Sequence, residues 1–120
     1  MAISVIVYSY SKCSTCRKAL SWLEKHKIAY EVIDIVTSPP AKEVLVQAFN
    51  QIGNRKYLFN TSGLSYRALG AAKVKTMSDD EVFDALAEDG KLIKRPFLIF
   101  SGDKFLVGFN EKTWSQFFLD

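Results

Sequence analysis

An α/β fold around one mixed four-stranded sheet is the architecture this sequence predicts. A strand–helix–strand pattern opens the chain, a short β-hairpin and a helix close it, and helical periodicity fills the stretch between them. At 120 residues the chain matches one domain, residues 1–120, and is long enough to bury a core without disulfide staples. Apolar residues make up 48% and charged residues 24% of it, the ordinary globular balance, which excludes a disordered chain.

Residues 3–8 are apolar on both faces apart from Ser4, as a central buried strand requires. Residues 9–13 are polar and turn-like. A helix follows, because Cys16, Ala19, Leu20 and Leu23 recur at helical spacing. Lys25, His26 and Lys27 crowd its C-terminal end, where the helix dipole favours positive charge, and His26 is expected to be solvated there. Residues 30–35 form the second strand, and the resulting βαβ unit needs a right-handed crossover.

Ser38-Pro39-Pro40 is expected to open a second helix with proline in its first turn. Leu45, Ala48, Phe49 and Ile52 form its apolar stripe, and Gly53 ends it. Residues 54–77 carry a weaker signal: Asn60-Thr61-Ser62-Gly63 reads as a loop and residues 66–69 as a short helix. Ser78-Asp79-Asp80-Glu81 is a capping box for a helix whose inward face is Val82, Ala85 and Leu86, with Gly90 expected to stop it. Residues 97–100 and 105–109 then read as strands, and the short link 101–104 makes them an antiparallel hairpin. Asn110 caps a last helix whose Trp114, Phe117 and Phe118 face the sheet.

Composition also bounds the function. Sixteen basic against thirteen acidic residues, interspersed, give a net charge of +3, too weak to argue for direct nucleic-acid binding. The N-terminus lacks a basic region and a cleavage site, so export is not expected. No apolar run approaches the roughly 18–20 residues that cross a bilayer. A cytoplasmic location follows as the expectation, with no membrane partner. In that compartment thiols are held reduced, so a structural disulfide is not expected.

Two cysteines spaced C-x-x-C then need another explanation. Cys13-Ser14-Thr15-Cys16 falls where the first strand hands over to the first helix, and C-x-x-C beside a βαβ unit reads as a thioredoxin-like redox motif. A sulfur at a helix N-terminus meets free N–H groups and the positive dipole end, which stabilise its thiolate. Lys12, Arg17 and Lys18 add positive potential. Cys13, nearest the open end, is the expected nucleophile, and Cys16, on the inward stripe, the resolving thiol. Two other readings stand beside this one. Cys16 alone fits an ordinary core position. Zinc would find only half a tetrahedral shell here, with His26 at the far end of the same helix, so no metal is expected. Arg95-Pro96, just before the third strand, fits a simple strand-start proline. It also fits a cis-proline loop packed on the cysteines with Arg95 aimed at the same pocket, which the order of elements favours.

Three separated motifs give a resemblance. Cys-Ser-Thr-Cys-Arg-Lys-Ala from Cys13, Phe59-Asn60-Thr61-Ser62-Gly63 with Tyr66-Arg67, and Leu92-Ile93-Lys94-Arg95-Pro96 together resemble the arsenate reductase (ArsC) family, most of all its Spx-like branch. The resemblance implies a thioredoxin-like fold with a helical insertion between strands 2 and 3. It matches Cys13 to the catalytic cysteine of glutaredoxin-coupled arsenate reductases, and Arg67 and Arg95 to two of their three oxyanion-holding arginines. The third arginine is replaced near Phe109, and Cys16 is a cysteine those enzymes usually lack. Both departures point away from arsenate and towards a dithiol reductase that needs no bound cofactor. Its electron donor would be glutathione, glutaredoxin or thioredoxin, and its partner a redox protein or small thiol. The resemblance also offers a regulator: Spx-type proteins use the same cysteine pair as a redox switch and bind the RNA polymerase α subunit.

Overall fold

Strand β1, Val5–Ser9, runs through the middle of the sheet, with Val5, Val7 and Ser9 buried on one face and Ile6 and Tyr8 half-buried on the other. The computed structural model describes residues 4–119, so the predicted start of this strand at Ile3 lies outside the described residues. Helix α1 (Ser14–Lys25) and strand β2 (Glu31–Asp34) follow. The helical middle of the chain comprises α2 (Lys42–Ile52), a 3-10 turn (Arg55–Leu58), α3 (Leu64–Leu69), α4 (Ala71–Thr76), α5 (Asp79–Glu88) and a second 3-10 turn (Gly90–Leu92). Strands β3 (Phe97–Phe100) and β4 (Lys104–Val107) and helix α6 (Glu111–Phe118) complete it. The sheet is mixed, in the order β2-β1-β3-β4. Strand β3 runs antiparallel to both neighbours, with Leu98 opposite Val7 on one side and Leu106 on the other.

Two compact units share the chain. One is formed by the chain up to Ile33 together with the chain from Arg95 onwards. Its core joins Val5, Val7 and Leu98 of the sheet to Ala19, Trp22 and Leu23 of α1 and Trp114 of α6. Trp22 and Trp114 meet edge to face at 5.9 Å, a favoured aromatic geometry. Asn110 caps α6 by accepting the Thr113 N–H at 2.9 Å. His26 differs from the expectation: it is half-buried, its ring 4.3 Å from that of Trp22, because the chain leaves α1 there and Lys27 turns to positive φ.

The other unit, Asp34–Lys94, is the insertion between strands 2 and 3. Its helix α2 begins at Lys42, later than the Ser-Pro-Pro signal implies. Ser38 and Pro39 each precede a proline and are driven from helical geometry, and the N-cap is Ala41. Phe49 of α2 meets Phe83 of α5 at 5.4 Å. The capping box at α5 is complete, with Ser78 accepting the Glu81 N–H and Glu81 accepting the Ser78 N–H. Helix α5 ends at Glu88 with Asp89 as its C-cap, so Gly90 is the first residue past the cap, where the stop was expected. Gly90 is buried where a Cβ would overlap the Ile35 carbonyl oxygen, so glycine is required by backbone approach.

Candidate active site

Polar residues 10–13 end β1 and turn the chain into α1, closed by the Cys13 N–H donating to the Tyr10 carbonyl at 3.0 Å. Cys13 is the N-cap of α1: its backbone is extended, and its sulfur takes the place usually held by a serine or aspartate oxygen. The Cys16 N–H donates to Cys13 Sγ at 3.2 Å. One of the helix's unpaired amides is thereby spent on a sulfur, which favours the charged form of that sulfur.

Cys16 sits one turn on, on the inward stripe, and is fully buried, whereas Cys13 is half-buried. Both thiols are free. Their environments separate them. Burial pushes the Cys13 thiol up, but the Cys16 S–H, the Cys16 N–H and the Arg95 guanidinium all hydrogen-bond its sulfur and together hold it below its ordinary value. Burial and the bond it donates to Cys13 push Cys16 the other way, to about 11, against the opposing Tyr10 N–H and Ser9 hydroxyl.

Arg95 is the cation that reaches this sulfur. Its guanidinium lies over the Tyr10 ring, 5.0 Å from the centroid, a cation–π contact. The Nε and Nη1 donors are buried and have no hydrogen-bond partner. The Arg95–Pro96 peptide is cis, and Pro96 is buried at the entry to β3. Lys12 and Lys18, credited from sequence with supporting the thiolate, are exposed, and Arg17 turns its guanidinium to the Ser11 carbonyl at 2.8 Å. Tyr10 and Ser9 are contributors that sequence reasoning missed. Their only signal was position, at the strand end directly before the motif.

Phe109 follows β4 and packs its ring 4.9 Å from Trp114 and 6.4 Å from Trp22. With Ser14, Arg17, Lys18 and Trp22 it lines an open groove of about 500 Å³ along α1, beginning at the residue next to Cys13. Arg67 stands on α3, exposed, with its N–H donating to the Gly63 carbonyl at 3.2 Å. Among the described residues no three His, Cys, Asp or Glu side chains gather as metal ligands would.

Residues 8–117, nearly the whole chain, match the ArsC family. The chain belongs to the ArsC family. Within it, a Bacillus subtilis relative, the uncharacterized protein YusI, is 45% identical over 95% of this chain and 98% of its own length. The global transcriptional regulator Spx of Streptococcus agalactiae is 32% identical over 89% of this chain and 77% of its own. The crystal structure of a possible arsenate reductase from Streptococcus mutans superposes with a TM-score of 0.87 at 39% identity, covering 95% of this chain and 99% of that one. The ArsC-family chain described above therefore has a thioredoxin-like, thiol-oxidoreductase fold with relatives on the Spx-like side of the family.

Proposed function

We propose that this ArsC-family chain is a thiol–disulfide oxidoreductase in which Cys13 attacks and Cys16 resolves. The observation that carries the reading is the asymmetry of the pair: one sulfur half-exposed at a helix N-cap with its thiolate favoured, the other buried with its thiol held protonated. The Cys13 thiolate attacks a sulfur of an oxidised partner and expels the partner's other sulfur as a thiolate, leaving a mixed disulfide. Cys13 then carries no charge and no longer accepts the Cys16 S–H, so two of the three influences that raise the Cys16 thiol lapse. Cys16 loses its proton to solvent and attacks Cys13 Sγ, and the partner leaves as a thiolate. The partner gains two electrons, and the chain is left with a Cys13–Cys16 disulfide. Two equivalents of an external thiol restore the dithiol; glutathione, glutaredoxin and thioredoxin are the donors of that class.

Arg95 favours the thiolate, and Pro96 shapes the backbone beside it. Arg67 is assigned by its match to a family arginine as a second anion-binding group. Arsenate turnover is expected to be slow or absent, because an aromatic side chain engaged with two tryptophans stands at Phe109, where a third guanidinium would be needed. A cytoplasmic location fits a reduced dithiol, and no helix among the described residues is long and apolar enough to cross a membrane.

A second reading is favoured by the Spx relative: the same pair would act as a redox switch controlling binding to the RNA polymerase α subunit, without direct DNA contact. Trapping in cells with Cys16→Ser, which leaves the mixed disulfide unresolved, separates the two. Accumulation of a small thiol or metabolic enzyme on Cys13 supports the reductase. Absence of adducts, together with retention of RNA polymerase by the oxidised wild-type chain alone, supports the switch.

A further inference from the structure

The inserted unit, Asp34–Lys94, carries a pocket that the dithiol chemistry does not use. Residues 44–78 hold no aspartate or glutamate but five basic side chains, and the pocket is built entirely from that stretch. Arg55 holds its frame together. The guanidinium donates to the Val74 carbonyl at 2.9 Å and pairs with Asp79 at 3.0 Å, tying the first 3-10 turn to α4 and to the start of α5. The concavity left there measures about 230 Å³ and is lined by Phe59, Tyr66 and Val74 together with exposed Lys56 and Lys75. Phe59 and Val74 are buried, and the Phe59 and Tyr66 rings meet edge to face at 5.5 Å. Asp79 matches the charge of Arg55, whereas Lys56 and Lys75 have no ion-pair partner among the described residues. An aromatic wall thus stands beside two uncompensated positive charges, the mixture of apolar lining and a few charged groups that small-molecule sites use.

We propose that this pocket binds a small aromatic carboxylate, its ring against Phe59 and Tyr66 and its charge met by Lys56 and Lys75. Size selects among the anions. Benzene occupies a cavity of about 150 Å³, and drug-sized ligands need about 300 Å³ or more. At about 230 Å³ the pocket takes one ring with a short acidic arm and is too small for a nucleotide. The wall disfavours a bare anion, which would leave the apolar surface wet and gain only exposed, salt-screened pairs with the lysines. The lysines disfavour a neutral ring, which would leave both charges unanswered. An aromatic guest also makes edge-to-face contacts that a saturated ring of the same size lacks. Neither cysteine lines the pocket, so the proposal stands apart from the thiol chemistry.

The test titrates the reduced, nitrogen-15-labelled full chain with four probes at low ionic strength and neutral pH: benzoate, benzyl alcohol, acetate and cyclohexanecarboxylate. Benzoate should shift the amide resonances of residues 54–61 and 66–75 saturably. It should bind about tenfold or more tightly than benzyl alcohol, which lacks the charge, and than acetate, which lacks the ring. Against cyclohexanecarboxylate the margin should be about two- to tenfold, the worth of the aromatic contacts. Lys56→Gln and Lys75→Gln should each weaken benzoate by about two- to fivefold, as loss of an exposed ion pair does, and leave benzyl alcohol unchanged. The four-probe comparison needs only the wild-type chain, so poor folding of a variant leaves the test intact. Benzyl alcohol binding as tightly as benzoate would show that the lysines read no charge, and acetate doing so that the wall contributes nothing; either result overturns the proposal. Equal binding of cyclohexanecarboxylate, shifts centred outside the inserted unit, or no saturable shift with benzoate would equally overturn it.

Discussion

Replacing Gly90 with alanine isolates one packing requirement of the inserted unit. An ideal Cβ there overlaps the Ile35 carbonyl oxygen, and it lies 2.7 Å from the Ile35 carbonyl carbon and 3.3 Å from Val36 Cα. All three are backbone atoms, so no side chain can rotate away and the segment at 35–36 must move. Overpacking of this kind costs about 1–3 kcal/mol where side chains share the adjustment, and a rigid backbone neighbour places Gly90→Ala at the top of that range, about 3 kcal/mol. For a chain of this size each kcal/mol lowers the melting temperature by about 4 °C, giving a fall of about 12 °C. Gly53 supplies the control. It ends α2 at φ +82° with nothing within 4 Å of its Cβ position, so Gly53→Ala pays only for left-handed backbone. That cost is about 1–2 kcal/mol, partly offset by the lower entropy of the unfolded alanine chain. Thermal unfolding followed by far-UV circular dichroism compares the two. Gly90→Ala melting at or above Gly53→Ala would refute the close-approach argument.

Further outcomes follow from the site and its supports. Arg95→Ala removes a hydrogen bond and a charge from Cys13 while burial persists, so the pH profile of Cys13 alkylation should shift to higher pH; an unchanged profile would remove Arg95 from the site. Ser78→Ala leaves the Glu81 N–H without its acceptor and should destabilise the chain by about 1 kcal/mol, read by urea titration. Phe109→Arg should raise arsenate reduction with glutathione and glutaredoxin above the wild type; robust wild-type turnover would show that the missing guanidinium does not matter.

How much of this was legible before the structure depends on the length scale of each signal. The strand at 97–100, the stripe of α1 and the capping box at Ser78 were readable because periodicity and capping are written in contiguous residues. Helix α4 and the two 3-10 turns were not, since pieces of three to six residues hold too few turns to show a stripe. Gly90 was read as a helix stop because that is what a glycine after an apolar stripe signals locally; the constraint at Ile35 lies 55 positions away in sequence and is invisible there. Cys13 and Cys16 could be placed at the mouth of α1 from spacing alone. The electrostatic support could not, because nearness in sequence pointed to Lys12 and Lys18 while the fold brings in Arg95, and because Ser9 and the Tyr10 N–H act through their position rather than their type.

The division of labour between the two sulfurs is the central claim, and the rate of iodoacetamide alkylation of each single-cysteine protein at neutral pH tests it most directly. With Cys16→Ser the remaining Cys13 should react rapidly, at a pH where an ordinary thiol is mostly protonated. With Cys13→Ser the remaining Cys16 keeps its full burial and should react far more slowly, until unfolding exposes it. Equal rates, or a faster Cys16, would contradict the account.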